Sequence, residues 1–187
     1  MKAIKYSLKA ISLIIALFFT LSTAQASEID LSKSYFQWTG SKITGSKHTG
    51  KIKLKSANVA NIDQHHKGTE FVVDMGTISV EDLKGEDATK FLKHITSADF
   101  FDIGKFPVAK LVVEKIENDT LHGKLTIKDK THAIKVPVKK TGNTYTAELK
   151  FDRTKFNMVY GSQNFFKNLG DKVISDEVSL MANFVFK

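Results

Sequence analysis

The chain contains no cysteine at all, and among its 28 lysines and arginines only Arg153 is an arginine. Without cysteine no disulfide can form, so stability has to come from packing and backbone pairing. Lipoprotein processing, which needs a cysteine at the cleavage site, is excluded as well. Cysteine–histidine spacings are impossible, and no His-Glu-x-x-His occurs, which argues against structural and catalytic zinc alike. Nucleic-acid readers favour arginine clusters and basic stripes, and a single arginine does not make one. No Gly-x-Ser-x-Gly elbow exists, since Gly161-Ser162 runs on into Gln163-Asn164. Gly40 to Lys47 superficially resembles a phosphate loop, but the closing Gly-Lys-Ser/Thr order is missing, and the stretch reads as a glycine-rich hairpin turn. The longest apolar run, Ile11 to Leu21, is only about half of the roughly 20 residues that a membrane span needs.

What that run does fit is an export signal. Lys2, Lys5 and Lys9 make a basic start, the apolar run follows, and Ala24-Gln25-Ala26 supplies a small-x-small cleavage site. We expect a signal peptide over 1–26, cleavage after Ala26, and a periplasmic protein with no remaining membrane span. Residues 27–187 are then one domain, long enough for a core of its own. Losing three leader lysines takes the formal charge from +8 to +5. The remaining lysines alternate with apolar residues, which makes them a solvated outer face; an anionic membrane surface is the second reading.

Period two dominates the rest. Lys51 to Lys55 and Leu121 to Lys128 alternate without fault, and similar runs cover 35–40, 69–75, 108–116, 132–138, 145–151 and 177–186. Such runs predict antiparallel strands wet on one side. Glu117-Asn118-Asp119, Lys128-Asp129-Lys130 and Thr141-Gly142-Asn143 read as hairpin turns. Eight strands at this spacing predict a mainly β fold, either a sandwich or a closed barrel. One segment departs from the pattern. Leu83, Ala88, Phe91, Leu92 and Ile95 recur at helical spacing, which predicts a short inserted helix near 87–95 with Glu86 or Asp87 at its start. It leads into Ser97-Ala98-Asp99-Phe100-Phe101-Asp102-Ile103-Gly104-Lys105-Phe106-Pro107, where the aspartates are expected to shape a turn by bonding local amides and Pro107 to open a strand.

Strand parity sorts the side chains by face. The apolar face holds Phe36, Trp38, Ile52, Leu54, Phe71, Val73 and Met75 from the first strands. It continues with Leu111, Val113, Leu125, Ile127, Ile134, Val136, Leu149, Phe151, Leu180 and Phe184. A barrel of this size fills with side chains or holds one small ligand, and the composition fits both. Phe91 of the helix, Phe100, Phe101 and Phe106 of the aromatic stretch, and Phe165 of the irregular tail join the candidate apolar lining. Phe100, Phe101 and Phe106 would seal the core or gate a pocket. His48 and His132 fall on the inward parity, where an imidazole can bond a ligand's polar head or a metal, or sit satisfied at the rim. Arg153 joins them as a candidate head-group contact. His65-His66 is an adjacent pair in a polar loop, and His122 falls on the polar face. Asp99 and Asp102 are weighed as an acid/base pair and read as turn formers.

Three motifs in order, "SADFFDIGKFPVAKLVV", "LHGKLTIKDKTHAIKVPV" and "NLGDKVISDEVSLMANFVF", resemble the YceI family of exported lipid-binding proteins over about residues 29–186. The resemblance implies a single lipocalin-like antiparallel barrel of about eight strands with an inserted helix. It implies non-covalent binding of a long apolar chain inside that barrel: a polyisoprenoid, an isoprenoid quinone or a fatty-acid-like lipid. It implies no catalytic centre, no metal and no cofactor, and it allows a homodimer. The chain departs from the family pattern at Lys128-Asp129, where members commonly carry arginine, and at its Gly45-Ser46-Lys47-His48-Thr49-Gly50 start. Two other readings stand beside this one: a metal-binding protein or enzyme using His48 and His132 at the barrel mouth, and a stress or interaction protein with a filled core.

Overall fold

The computed structural model describes residues 28–59 and 67–187, so the leader with its cleavage site and the His65-His66 pair lie outside the described residues. Eight strands form: β1 (Tyr35–Ser41), β2 (Lys47–Asn58), β3 (Glu70–Asp74), β4 (Val108–Glu117), β5 (Thr120–Ile127), β6 (Lys130–Thr141), β7 (Thr144–Asp152) and β8 (Glu177–Val185). Each pairs antiparallel with its sequence neighbour, and β8 returns to β1 with Phe36 opposite Ala182. Closure decides between barrel and sandwich. It also gives every strand a partner on both sides, although β6 and β7 meet only through Val138–Thr141 and Thr144–Ala147; ring closure thereby limits the edge open to pairing.

Turn chemistry explains the register. Asn118 and Asp119, and again Lys128 and Asp129, all have φ near +50°. Two such residues make a hairpin turn whose twist matches the flanking strands. Gly142 alone is left-handed in the β6–β7 turn, which suits glycine at the first central position. A lysine in this region is unusual. Lys128 is held there because its ammonium donates to the Phe100 carbonyl at 2.6 Å and the Asn157 carbonyl at 3.3 Å.

β3 is short and pairs only with Lys53–Asn58 of β2. The other half of β2 is covered by the segment 76–82. Ser79 N–H donates to the Lys51 carbonyl, Glu81 N–H to the Thr49 carbonyl, and Lys51 N–H to Ser79 Oγ. This strap passes so close that a Cβ on Gly50 would lie 1.8 Å from the Ser79 carbonyl oxygen. Glycine is required at position 50 for that approach.

The inserted helix, α1, runs from Gly85–Thr96, slightly longer than its periodicity indicates. Lys84 occupies the position before it and gives no side-chain cap; Glu86 and Asp87 sit in the first turn instead, where the helix dipole favours them. Phe91 fastens the helix to the barrel end: its ring stacks on Trp38 at 5.9 Å and lies 4.7 Å from the His48 ring. The turn after the helix is built differently from expectation. Ser97 Oγ donates to the His94 carbonyl, and Asp102 adopts φ 48° with its carbonyl accepting Lys105 and Phe106 N–H. The Asp99 and Asp102 carboxylates bond no local amide; they lie near the Lys128 ammonium and oppose the lowering that its burial imposes. β4 opens at Val108, one residue after Pro107, whose carbonyl accepts Met75 N–H at 3.0 Å.

Inside the barrel the parity assignment puts aromatic rings in contact. Phe71 stacks on Phe184 at 4.3 Å, and Phe36 meets the same ring edge-on at 5.4 Å. Each such pair adds about 0.5–1.5 kcal/mol beyond simple burial.

Candidate ligand cavity

The end of the barrel where β1 finishes and β2 begins is not filled. A cavity of about 430 Å³ opens there, walled by Trp38 of β1, His48 of β2, and Phe91, His94 and Ile95 of α1. Phe100 and Phe101 of the aromatic turn line it too, as do Phe151, Arg153, Met158 and Tyr160, then Lys172, Ile174, Ser175 and Val178. Gly40, Ser41 and Lys42 complete the wall. Behind it lies an apolar chamber of about 90 Å³ within the barrel. Trp38, Phe101, Phe151 and Val178 line both, so these four side chains form the partition between mouth and interior. A third space of about 40 Å³ shares Leu121, Ala147 and Phe184 with the interior chamber.

The expected lining residues separate by depth. Phe36, Trp38, Ile52, Val73, Leu111, Leu125, Ile127, Ile134, Phe151, Leu180 and Phe184 line the interior chamber. Phe71 and Val113 line the third space. Phe91, Phe100 and Phe101 line the mouth. Leu54 is buried in the core without bordering a chamber. Phe106 lies outside the cavities, with the Lys105 ammonium over its ring. Phe165 is 58% exposed.

The two inward-parity histidines part company. His48 lines the mouth, and its Nδ1 lies 2.7 Å from Asp82 Oδ2. Asp82 Oδ1 also accepts Thr49 N–H at 2.8 Å. Burial alone would raise the Asp82 carboxyl, but these hydrogen bonds from Thr49 and His48 hold it below its ordinary value. His132 borders none of these cavities. Its Nε2 lies 3.0 Å from the Lys155 carbonyl, and its ring meets Phe156 edge-on. The structure therefore does not bring His48 and His132 to one centre. Among the described residues no group of three or more His, Asp or Glu side chains is placed to hold a metal.

Arg153 is 1% exposed and acts as a clamp. Its Nε donates to the Ser175 carbonyl, Nη1 to the Met158 carbonyl, and Nη2 to the Ile174 carbonyl. Asp176 Oδ1 sits 3.2 Å from Nη2, and the guanidinium lies over the Phe100 ring. Burial lowers its pKa, opposed first by Asp176 and then by Asp152, and a guanidinium stays charged regardless. One side chain thus joins the end of β7, the 157–160 loop and the approach to β8, which together make one wall of the mouth.

Several mouth residues have no strand periodicity to announce them: Lys42 in a turn, and Met158, Tyr160, Lys172 and Ile174 in the irregular tail. His94 does carry a signal. It follows Phe91 by three residues and precedes Ile95, which places it on the barrel-facing side of α1.

A model of the YceI-like domain matches residues 27–186. No curated protein sequence matches the chain. Among solved structures it resembles Burkholderia cenocepacia BcnA, at 22% identity over 84% of this chain and 99% of that one, with a TM-score of 0.62. It also resembles a polyisoprenoid-binding domain from Saccharophagus degradans implicated in plant cell wall breakdown, at 14% identity, 87% and 98% coverage and a TM-score of 0.64. A Campylobacter jejuni YCEI protein matches at 16% identity, 71% and 80% coverage and a TM-score of 0.51. These likenesses concern the fold; the match over 27–186 settles the lineage, and the chain belongs to the YceI-like domain family.

Proposed function

We propose that the protein is an exported carrier that holds a long apolar ligand non-covalently, its chain in the barrel and its head at the mouth. The ligand class is a polyisoprenoid, an isoprenoid quinone or a fatty-acid-like lipid, and the protein binds it without transforming it. The observation that carries this reading is the open apolar mouth cavity, which meets the interior chamber across a partition of only four side chains. Support for the lipid class comes from the polyisoprenoid-binding relative. Burial of an alkyl chain contributes about 0.8 kcal/mol per CH₂, so roughly ten carbons offset much of the entropy lost on association. The basic leader, its apolar run and the Ala24-Gln25-Ala26 site support export to the periplasm.

Native mass spectrometry of the protein recovered from the periplasm, followed by solvent extraction, tests the reading. We expect a polypeptide beginning at Ser27 that carries one apolar molecule. Phe101→Ala, which opens the partition, should lose more ligand affinity than folding stability. A ligand-free protein with no affinity for farnesol or oleyl alcohol would overturn the carrier assignment.

A further inference from the structure

The ionisable side chains around the mouth cavity can all donate hydrogen bonds, and none is a carboxylate. Lys42, Lys172, His48, His94, Arg153 and Tyr160 line it, and among the described residues no aspartate or glutamate does. Two acids bonded to lining residues are already committed. Asp82 accepts from His48 and Thr49, and Asp176 faces Arg153 while accepting from Ser162 Oγ and Asn164 Nδ2. His48 and Arg153 are committed with them, but the other four groups are not. Among the described residues the Lys42 and Lys172 ammonium groups make no ion pair or hydrogen bond. Neither does the His94 ring, which stands edge-on between Phe100 at 5.2 Å and Tyr160 at 4.5 Å, nor the Tyr160 hydroxyl.

Backbone pairing brings these donors together. Lys42 pairs with Ile174 in an isolated bridge, and Ile43 N–H donates to the Val173 carbonyl, so Lys172 sits two residues from Lys42's partner. Ile174 N–H in turn donates to the Gly161 carbonyl, beside Tyr160. Uncommitted donors gathered at the rim of an apolar cavity, with a fixed guanidinium in its wall, favour an acceptor that carries negative charge. A neutral head such as a quinone or an alcohol could accept a hydrogen bond but would leave the two ammonium charges without a counter-charge.

We infer that the ligand's head group is anionic, a carboxylate or a phosphate monoester, held at the mouth by Lys42, Lys172, His94 and Tyr160. This rests on the carrier reading above and narrows its ligand class to acidic amphiphiles. The acyl and prenyl versions share that chemistry, and paired probes tell them apart.

Titration calorimetry on the mature protein would compare oleate with oleyl alcohol and farnesyl phosphate with farnesol, so that within each pair the hydrocarbon is constant. At least one acid should bind about tenfold tighter than its alcohol, the size of a single charge-assisted hydrogen bond. The pair with the larger ratio identifies carboxylate or phosphate. The double variant Lys42→Gln/Lys172→Gln should bring the ratio towards one. Lys135→Gln/Lys139→Gln, the same charge change on the outer face of β6, should keep it. Equal binding of acid and alcohol by the native protein would overturn the anionic head while leaving the carrier reading intact. So would a ratio unaffected by the mouth variant. Failure of all four probes to bind would instead remove the carrier reading itself, and this inference with it.

Discussion

Arg153 shows how much structure one side chain can hold. Its guanidinium satisfies carbonyls at Met158, Ile174 and Ser175, none of which belongs to a strand ladder. Replacing it with methionine keeps the bulk but strands those carbonyls and leaves Asp176 without its ion pair. Arg153→Met should therefore cost about 3–5 kcal/mol, read from urea unfolding curves. Arg153→Lys should recover little of this, because one ammonium cannot span the three acceptors that the planar fork reaches. A loss under about 1 kcal/mol for Arg153→Met would mean that the clamp is ornamental. Composition singled this residue out as the only arginine, yet it pointed to a head-group contact. Its structural duty depends on two carbonyls brought from 21 and 22 residues downstream, which no local pattern contains.

At the level of elements, the strap over β2 substitutes for a missing length of strand. β3 ends at Asp74, and the 76–82 segment takes over the hydrogen bonding of β2 through Ser79 and Glu81. Trp38 Nε1 also donates to the Ser79 carbonyl at 3.1 Å, so the strap positions a mouth residue as well. Gly50→Ala would push a methyl group into that carbonyl, and the variant should lose about 1–3 kcal/mol, with a lower melting temperature as the readout. An unchanged melting temperature would show that the strap is free to lift. The strands themselves were legible because one face is wet and one dry, which writes a period of two into each. Their turns were legible through asparagine, aspartate and glycine. The strap was not, since its bonds use backbone groups and a serine hydroxyl that leave no periodic trace. The mouth was half legible: Phe91, Phe100 and Phe101 stood out by type. Lys42, Tyr160 and Lys172 are placed by long-range bridges between irregular segments. His132 shares its parity with inward residues but lies near the strand's start, where Lys155 and Phe156 intercept it.

For the molecule as a whole, acid is the relevant stress. Asp82, Asp152 and Asp30 are all held below the ordinary carboxyl value of 3.8. At Asp82 and Asp152 burial works in the opposite direction, and hydrogen bonds from Thr49 and His48, or from Thr154, outweigh it; at Asp30 the Ser32 hydroxyl leads. A carboxyl with a depressed folded value stabilises the fold above its unfolded value and loses that contribution as pH falls through the folded one. Stability should thus be level from neutrality down to the ordinary carboxyl range and drop below it. Urea midpoints measured downward from pH 6 check this, and Asp82→Asn should make the drop shallower. A midpoint that rises on acidification would contradict the sign.

Ring closure has a consequence in time. Tyr35 pairs with Asn183, so the first strand cannot find its second neighbour until nearly the whole chain exists. Closing so long a loop is entropically costly, and topologies dominated by such pairings fold slowly. A nascent chain lacking β8 has two open edges, on β1 and on β7, and no finished barrel. Under the export proposed above, the order in which the strands are made works as a delay: the last strand to emerge is the one that locks the rest.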